Sequence, residues 1–160
     1  MSRRLATVAA LATLGAGTAT GATIPGHPTE PARIVARDAA GERVAQLTLP
    51  RSRAFALAYR HSYYRRPAVE RFRATGDGSF RLEAIRSPSA AVLDYYEIEG
   101  SRSRRGGWWT LRVARPPHFE SLALAGTVLG RRTLVAGGLS APLFRPDGRV
   151  AHLRLGVEGD

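Results

Sequence analysis

The sequence predicts an all-β domain, either an antiparallel β-sandwich or a partly closed barrel of about 8–10 short strands. After residue 33 the chain divides into short runs in which apolar and polar residues alternate, as they do in strands with one buried face. Turn-forming residues separate these runs, for example in "TGDGS" and "RPDG". No later stretch repeats its apolar residues with a helical period.

The predicted strands follow one another from residue 33 to the end of the chain. In order they are "RIVARD", "RVAQLTL", "FALAYRHSY", "VERFRA", "FRLEAIR", "AAVLDYYEI", "WWTLRV", "ESLALAGTV", "RTLVAG" and "RVAHLRLGV". "AAGE", "TGDGS", "GSRSRRGG" and "RPDG" are predicted turns. A chain of 160 residues that is 44% hydrophobic is suited to one domain with a real core, assigned to residues 33–160.

The first 22 residues have the organisation of an export signal. Basic "MSRR" is followed by the apolar run "LATVAALATL" and by the small residues "GAGTATGA", which suit cleavage after Ala22. The sequence therefore predicts a signal helix over 1–22 and an exported, periplasmic or otherwise extracytoplasmic protein. An uncleaved membrane anchor is the alternative. Residues 23–32, "TIPGHPTEPA", form a proline-rich linker.

The charge of the chain is high and comes from arginine alone. All 24 basic residues are arginines, and the net charge of +11 would suit an anionic membrane surface or an acidic solute. Because the arginines are scattered, a solvated surface is the simplest interpretation, and nucleic-acid binding is disfavoured. The absence of cysteine excludes disulfides, thiolate metal sites and a cysteine nucleophile.

One hairpin places polar residues within apolar strands. The stretch "YRHSYYRRPAVERF" runs from Tyr59 to Phe72. A two-residue loop at 65–66 would place Tyr59 opposite Phe72 and His61 opposite Glu70. On that register a cross-strand pair sits on the apolar face, where the carboxylate would favour the imidazolium form of His61.

Three interpretations of this polar cluster stay open. The residues concerned are His61, Ser62, Glu70, Asp94 and Tyr96. They could satisfy one another as a structural group at the edge of the core, line a polar ligand pocket, or support hydrolase-like chemistry. Adjacent strand residues point to opposite faces, so His61 is poorly placed as a base for Ser62, and no catalytic residue is assigned.

The histidines do not form a local metal motif. None of the four lies at a His-x-His or His-x-x-x-His spacing, so no metal ligand and no cofactor is predicted. His152 is expected to face solvent and His118 to lie in an ordinary loop. "WWTLRV" places Trp109, Leu111 and Val113 on one face, which favours core packing over a stacking platform.

The same stretch resembles a known bacterial family. "YRHSYYRRPAVERF" is similar to the Tyr-x-His-Ser and Val-x-Glu signature of the family catalogued as domain of unknown function 1850, DUF1850. The likeness continues through "SPSAAVLDYYEI", "GTVLGRRTL" and "HLRLGVE", covering about 33–158. After "FRLEAIR" the chain departs from the glycine-rich run seen in many members.

The resemblance implies a role rather than a reaction. Members are small exported or membrane-tethered all-β proteins, often encoded beside the fused permease of TAXI-type TRAP solute transporters. The resemblance implies that His61, Ser62 and Glu70 correspond to the signature residues of the family. We therefore expect a non-enzymatic accessory or binding module whose partner is the permease or its solute. A hydrolase-like or metal-assisted enzyme using His61 and Glu70 is the alternative.

Overall fold

A computed structural model describes residues 30–159, which form two antiparallel sheets facing each other. The predicted all-β fold is confirmed as a β-sandwich. The predicted signal helix and most of the linker lie outside the described residues, and the first strand begins at Arg33.

Twelve strands and one short helix make up the described part of the chain. They are β1 (Arg33–Asp38), β2 (Arg43–Thr48), β3 (Ala54–Arg60), β4 (Pro67–Ala74), β5 (Phe80–Ser87), α1 (Ala90–Asp94), β6 (Gly100–Arg105), β7 (Trp108–Val113), β8 (His118–Phe119), β9 (Leu122–Gly126), β10 (Thr133–Ala136), β11 (Leu139–Pro142) and β12 (Ala151–Glu158). The smaller sheet has the order β2-β1-β12-β9. The larger has the order β11-β10-β3-β4-β5-β7-β6, with β8 paired to β5.

The core lies between the two sheets. Alternation along β3 and β4 turns Phe55 and Phe72 inward, where their rings stack with centroids 5.2 Å apart. Phe80 of β5 packs edge-on against both rings. The smaller sheet contributes Ile34 and Leu155, both fully buried. These contacts fix which faces of the strands point inward.

Two predicted elements are wrong in type. "AAVLDYYEI" was expected as a strand, but residues 90–94 form helix α1, whose Val92 and Leu93 are buried. "GSRSRRGG" was expected as a turn, but six of its residues form β6, an edge strand exposed along its whole length. An edge strand that is exposed on both faces carries no alternation to reveal it, and charged residues are typical there.

The predicted hairpin register is also wrong. β3 and β4 pair with Tyr59 opposite Ala68 and Leu57 opposite Glu70, four residues away from the expected pairing. The strands are joined by residues 61–66, closed by the His61 N–H on the Arg66 carbonyl at 2.8 Å and the Arg65 N–H on the His61 carbonyl at 2.9 Å. Because the shift is an even number, the inward and outward faces keep their predicted residues.

Candidate functional site

A cleft of about 470 Å³ opens at one end of the sandwich. It lies where the chain crosses from β9 of the smaller sheet to β10 of the larger one. The backbone N–H of Arg60 donates to the Gly130 carbonyl at 2.7 Å and holds this crossing loop against the end of β3. The lining residues are Tyr59, Arg60, His61, Ser62, Glu70, Tyr95, Tyr96, Ala125, Thr127, Gly130 and Arg132.

Glu70 occupies the inward face of β4, between the buried residues Ala68 and Phe72. A carboxylate in this position requires donors, since an unpaired buried charge is costly. Two tyrosines supply them. The hydroxyl of Tyr59 donates to Glu70 Oε1 at 2.9 Å, and the hydroxyl of Tyr96 donates to the same oxygen at 2.7 Å. The two phenol oxygens also lie in contact with each other. The two hydroxyl protons suffice for two of these three hydrogen bonds at a time.

Helix α1 explains how Tyr96 reaches Glu70. The buried side chains of Val92 and Leu93 anchor the helix on the core. The chain then continues in a turn, in which the Tyr96 N–H donates to the Leu93 carbonyl at 3.3 Å. A strand over the same residues would not provide this turn, so the helix is what carries the second tyrosine to the carboxylate.

Both tyrosines keep their protons at neutral pH. Burial raises the pKa of Tyr59 and Tyr96 well above the ordinary value, and the Glu70 charge raises both further. Each hydroxyl can therefore act as a hydrogen-bond donor to Glu70. The resulting cluster of three oxygen groups is fixed in the wall of the cleft.

His61 lies at the start of the loop after β3 and is only 5% exposed. Its ring packs edge-on against Tyr95, with centroids 4.7 Å apart. Burial lowers the pKa of His61, and the opposing effect of the Glu70 charge is smaller. Among residues 30–159 no hydrogen bond or ion pair joins His61 to Glu70, so the predicted cross-strand pair is not formed, and a neutral imidazole replaces the expected imidazolium.

Arg132 contributes a cationic group to the cleft, which Arg60 also lines. Its guanidinium lies over the Tyr59 ring, 4.8 Å from the ring centroid, and it helps to offset the rise in the pKa of Tyr59. The side chain is half-buried. Within the described chain no carboxylate pairs with this guanidinium, and no hydrogen bond engages it. Its N–H donors are thus open to a ligand.

The other two predicted members of the cluster lie apart from the Glu70 group. Ser62 lines the cleft but is exposed, and no hydrogen bond within residues 30–159 joins it to His61. Asp94 is exposed and forms an ion pair with Arg102 at 2.5 Å. Of the five predicted residues, the structure therefore brings Glu70 and Tyr96 into direct contact and places His61 and Ser62 in the same cleft.

A second group superficially resembles a catalytic triad. His118 lies in β8, with its ring nitrogens 3.3 and 3.4 Å from the Ser79 hydroxyl. Asp77, however, accepts a hydrogen bond from that serine at 2.6 Å and does not contact the imidazole. A catalytic triad needs a carboxylate that orients the histidine, so this group is not a triad. Its hydrogen bonds instead hold the turn between β4 and β5 in place.

No group of three or more His, Cys, Asp or Glu side chains within residues 30–159 is arranged to hold a metal ion. Another hollow of about 470 Å³ runs along β9 and β12 on the outer face of the smaller sheet. Asp38, His152 and Arg154 line it with small residues. It is shallower than the cleft and lacks a hydrogen-bonded cluster of side chains.

The sequence reasoning missed Tyr59 and Arg132 as members of the site. The alternation of β3 predicts the inward face of Tyr59 but not the contact of its hydroxyl with Glu70. Arg132 could not be distinguished from the other arginines, because its position depends on the crossing between sheets. Of these two residues, only Tyr59 has a signal in the sequence, because it alternates in phase with Phe55 and Leu57.

The fold and cleft together define a small antiparallel β-sandwich with a polar cleft at one end. The chain matches no protein-family model, no curated protein and no solved structure. Within the described residues, no helix has the length and apolar character needed to cross a bilayer.

Proposed function

We propose that this domain is an extracytoplasmic binding module that holds a small polar solute in the cleft between its sheets. One observation carries the proposal: within residues 30–159 the half-buried Arg132 guanidinium, which lies beside the Glu70 cluster, has no carboxylate partner. A protein cation that is partly removed from water and unpaired favours an anionic ligand group.

The two sides of the cleft suit different parts of one solute. Arg132 offers the planar donor arrangement that matches a carboxylate. The remaining acceptor capacity of Glu70 suits a hydroxyl or amine of the same molecule. We therefore favour a small hydroxy acid or amino acid over a purely apolar ligand.

Binding is better supported than catalysis. In hydrolysis by a serine nucleophile, the serine must be hydrogen-bonded to its base, and Ser62 has no such contact with His61. Glu70 already accepts two tyrosine hydroxyls and, within residues 30–159, has no hydrogen bond to an imidazole. An extracytoplasmic enzyme using His61 and Glu70 stays the alternative, and a turnover assay on any solute that binds would identify it.

The accessory role at a TAXI-type TRAP transporter is proposed from the resemblance to DUF1850, carried by His61, Ser62 and Glu70. No family model matches the chain, so this link stays a prediction. Export by the N-terminal segment is proposed on the same footing. Co-purification of the exported chain with a permease encoded beside it, lost in Glu70→Gln but not in His152→Gln, would support the link. A chain recovered only from the cytosol would contradict it.

The solute proposal is tested by thermal unfolding with a panel of probes. Malate, glutamate and glycolate are compared with phosphate and with neutral glucose and glycerol. We expect carboxylates to raise the Tm, since a ligand that binds only the folded state stabilises it. Arg132→Gln should weaken their binding about 10- to 100-fold, the range expected for loss of a charge-assisted hydrogen bond.

Arg115→Gln is the matched control, because Arg115 is exposed and follows β7, outside the cleft lining. It removes the same charge and should leave binding unchanged. An equal loss of carboxylate binding in Arg132→Gln and Arg115→Gln would show that binding depends only on the net charge of the protein. If no probe binds the wild-type chain, the cleft is not a solute site.

A further inference from the structure

The loops around the mouth of the cleft carry an unusual share of the exposed apolar side chains. Seven large hydrophobic residues are exposed within residues 30–159, and four of them belong to the three segments that surround the cleft. Tyr63 is 75% exposed and Leu129 is 70% exposed. Tyr95 and Val128 complete this group. Apolar side chains gathered at one end of a domain indicate a contact surface rather than ordinary scatter.

The same segments are strongly basic. Residues 60–66 and 127–132 contain five arginines and no acidic residue. They are Arg60, Arg65, Arg66, Arg131 and Arg132. None of them takes part in an ion pair within the described chain, although several arginines elsewhere do. These five guanidinium groups are therefore not paired with carboxylates of the described chain, although Glu70 lies in the cleft wall and Asp94 precedes Tyr95.

The structure joins the two basic segments into one surface. The bond from the Arg60 N–H to the Gly130 carbonyl links them directly. Arg60, Arg65 and Arg131 line a single surface hollow beside the cleft. Arg65 and Arg131 both have left-handed backbones, with φ of 54° and 46°, a conformation that costs energy for a residue other than glycine. Each loop thus accepts local strain at the point where it presents an arginine.

We propose that this surface, called here the mouth surface and made of residues 60–66, 95 and 127–132, docks on an anionic lipid bilayer. Tyrosine and leucine tips enter the interface, while surrounding guanidinium groups contact lipid phosphates. The proposal does not rest on the cleft's solute, although the mouth surface shares Arg132 and other residues with the cleft lining. It gives the domain a membrane contact even after cleavage at Ala22.

The position of the N-terminal end fits a contact made without the export segment. The Leu49 N–H donates to the Ala32 carbonyl at 2.8 Å, which places residues 30–32 near the start of β3. The mouth surface lies at the other end of β3, after Arg60. A domain docked through its mouth would therefore direct residue 30 away from the bilayer.

The test is vesicle sedimentation of the chain from Thr23 to Asp160, which contains every described strand. Vesicles of phosphatidylcholine alone are compared with vesicles of phosphatidylcholine and phosphatidylglycerol. We expect binding only to the anionic vesicles, weakened by salt. Both Leu129→Ser and the double variant Arg65→Gln/Arg66→Gln should reduce the partition coefficient about 10-fold.

Matched controls lie at the opposite end of the sandwich. Leu139→Ser removes an equally apolar side chain that is 61% exposed on β11, level with Phe55 at the start of β3. Arg51→Gln/Arg115→Gln removes two charges from exposed arginines outside the mouth surface. These variants are needed because the chain is basic overall. Its net charge is +11, and it is still +9 when Arg3 and Arg4 are removed with the export segment.

The outcomes separate the possible occupants. Retained binding in both control variants, together with the loss in both mouth variants, supports the proposal. Equal loss in the Arg51/Arg115 variant would reduce binding to net charge and overturn it. The proposal would also be overturned if the wild-type chain did not bind anionic vesicles. It would equally be overturned by a dimer that Leu129→Ser abolishes, since the mouth surface would then be covered by a second copy of the chain.

Discussion

The Tyr96 hydroxyl and the Glu70 carboxylate are joined by a hydrogen bond of 2.7 Å, although the residues lie 26 positions apart in the chain. Glu70 comes from the middle of a strand, and Tyr96 comes from the turn after the only helix of residues 30–159. This contact ties the helix to the sheet at the wall of the cleft. It also replaces the pairing with His61 that the sequence predicts.

The first prediction concerns this contact. Tyr96→Phe removes one donor from a carboxylate on the inward face of β4 and should lower the free energy of unfolding by about 1–3 kcal/mol. Glu70→Gln should have a similar effect. The double variant should cost less than the sum of the two, because Tyr96→Phe deletes the bond that Glu70→Gln weakens by replacing a charged acceptor with a neutral one. Denaturant unfolding at pH 8 measures all three.

The control for that cycle pairs His61→Ala with Glu70→Gln at the same pH. The burial of His61 keeps its imidazole neutral there, and no hydrogen bond joins the two side chains. Their costs should therefore add to within about 0.5 kcal/mol. A coupling larger for His61 than for Tyr96 would contradict the observed register of β3 and β4.

The second prediction is alkaline sensitivity. The pKa values of Tyr59 and Tyr96 are raised in the folded state, so above about pH 10 the unfolded chain loses these protons first. The folded state then binds more protons, and stability falls as pH increases. Titration of tyrosinate absorbance should show that Tyr59 and Tyr96 ionise only as the domain unfolds.

Glu70→Gln sharpens this titration. Removing the carboxylate charge should lower the pKa of both buried tyrosines, while the effect of burial stays. Their ionisation should move to lower pH, with Tyr96→Phe deleting one of the two late steps. Ionisation of Tyr59 and Tyr96 in the folded wild-type chain, well before unfolding, would show that the cluster is open to water.

The third prediction is acid sensitivity centred on His61. Its pKa is lowered in the folded state by burial, so the unfolded chain takes up a proton first as pH falls below about 6.5. The stability contributed by the neutral imidazole is present above that pH and is lost as pH falls through the folded pKa. Unfolding measured from pH 8 to pH 5 should therefore show declining stability.

His61→Gln should flatten part of that decline, because the replacement does not titrate. His152→Gln is the control, since His152 is exposed on β12 in the other sheet. An identical pH slope in the wild-type and His61→Gln chains would mean that the imidazole is hydrated in the folded state.

The strand faces could be predicted because alternation is a local property. Phe55, Leu57 and Tyr59 occupy every second position and share the inward face as expected. The outward position of His152 follows from the same rule and is confirmed. Leu111 and Val113 are likewise buried together. Such patterns depend only on neighbouring residues in one strand. They are therefore predicted correctly even when the pairing between two strands is predicted wrongly.

The site itself depends on relations that alternation does not encode. The length of the 61–66 loop decides whether Glu70 faces His61 or Leu57, and that loop is closed by backbone bonds rather than by a recognisable turn sequence. Arg132 enters the cleft because the chain changes sheets after Gly126. Asp94 lies outside the cleft lining, because the helix that forms in place of the predicted strand turns that carboxylate toward Arg102.

The last prediction concerns Gly126, the residue that ends β9 immediately before the cleft loop. A methyl group built on Gly126 would overlap the carbonyl oxygen of Leu143, whose own N–H donates to the Arg132 carbonyl at 2.8 Å. The obstacle is backbone, so a side-chain rotation cannot relieve it. Gly126→Ala should destabilise the domain by about 3 kcal/mol and disturb the position of Arg132.

Gly156→Ala is the matched control, because Gly156 lies in β12 of the same sheet and has open space where a methyl group would be added. It should leave stability unchanged or raise it by up to about 1 kcal/mol, since alanine loses less backbone freedom on folding. Denaturant unfolding of both variants measures the stability effect. The link between Gly126 and the Arg132 segment is tested by measuring carboxylate binding to Gly126→Ala in conditions where that variant is folded. Weakened binding is expected, because the clash lies next to the segment that holds the guanidinium. A stable Gly126→Ala chain would show that the segment after β11 does not approach β9 as described.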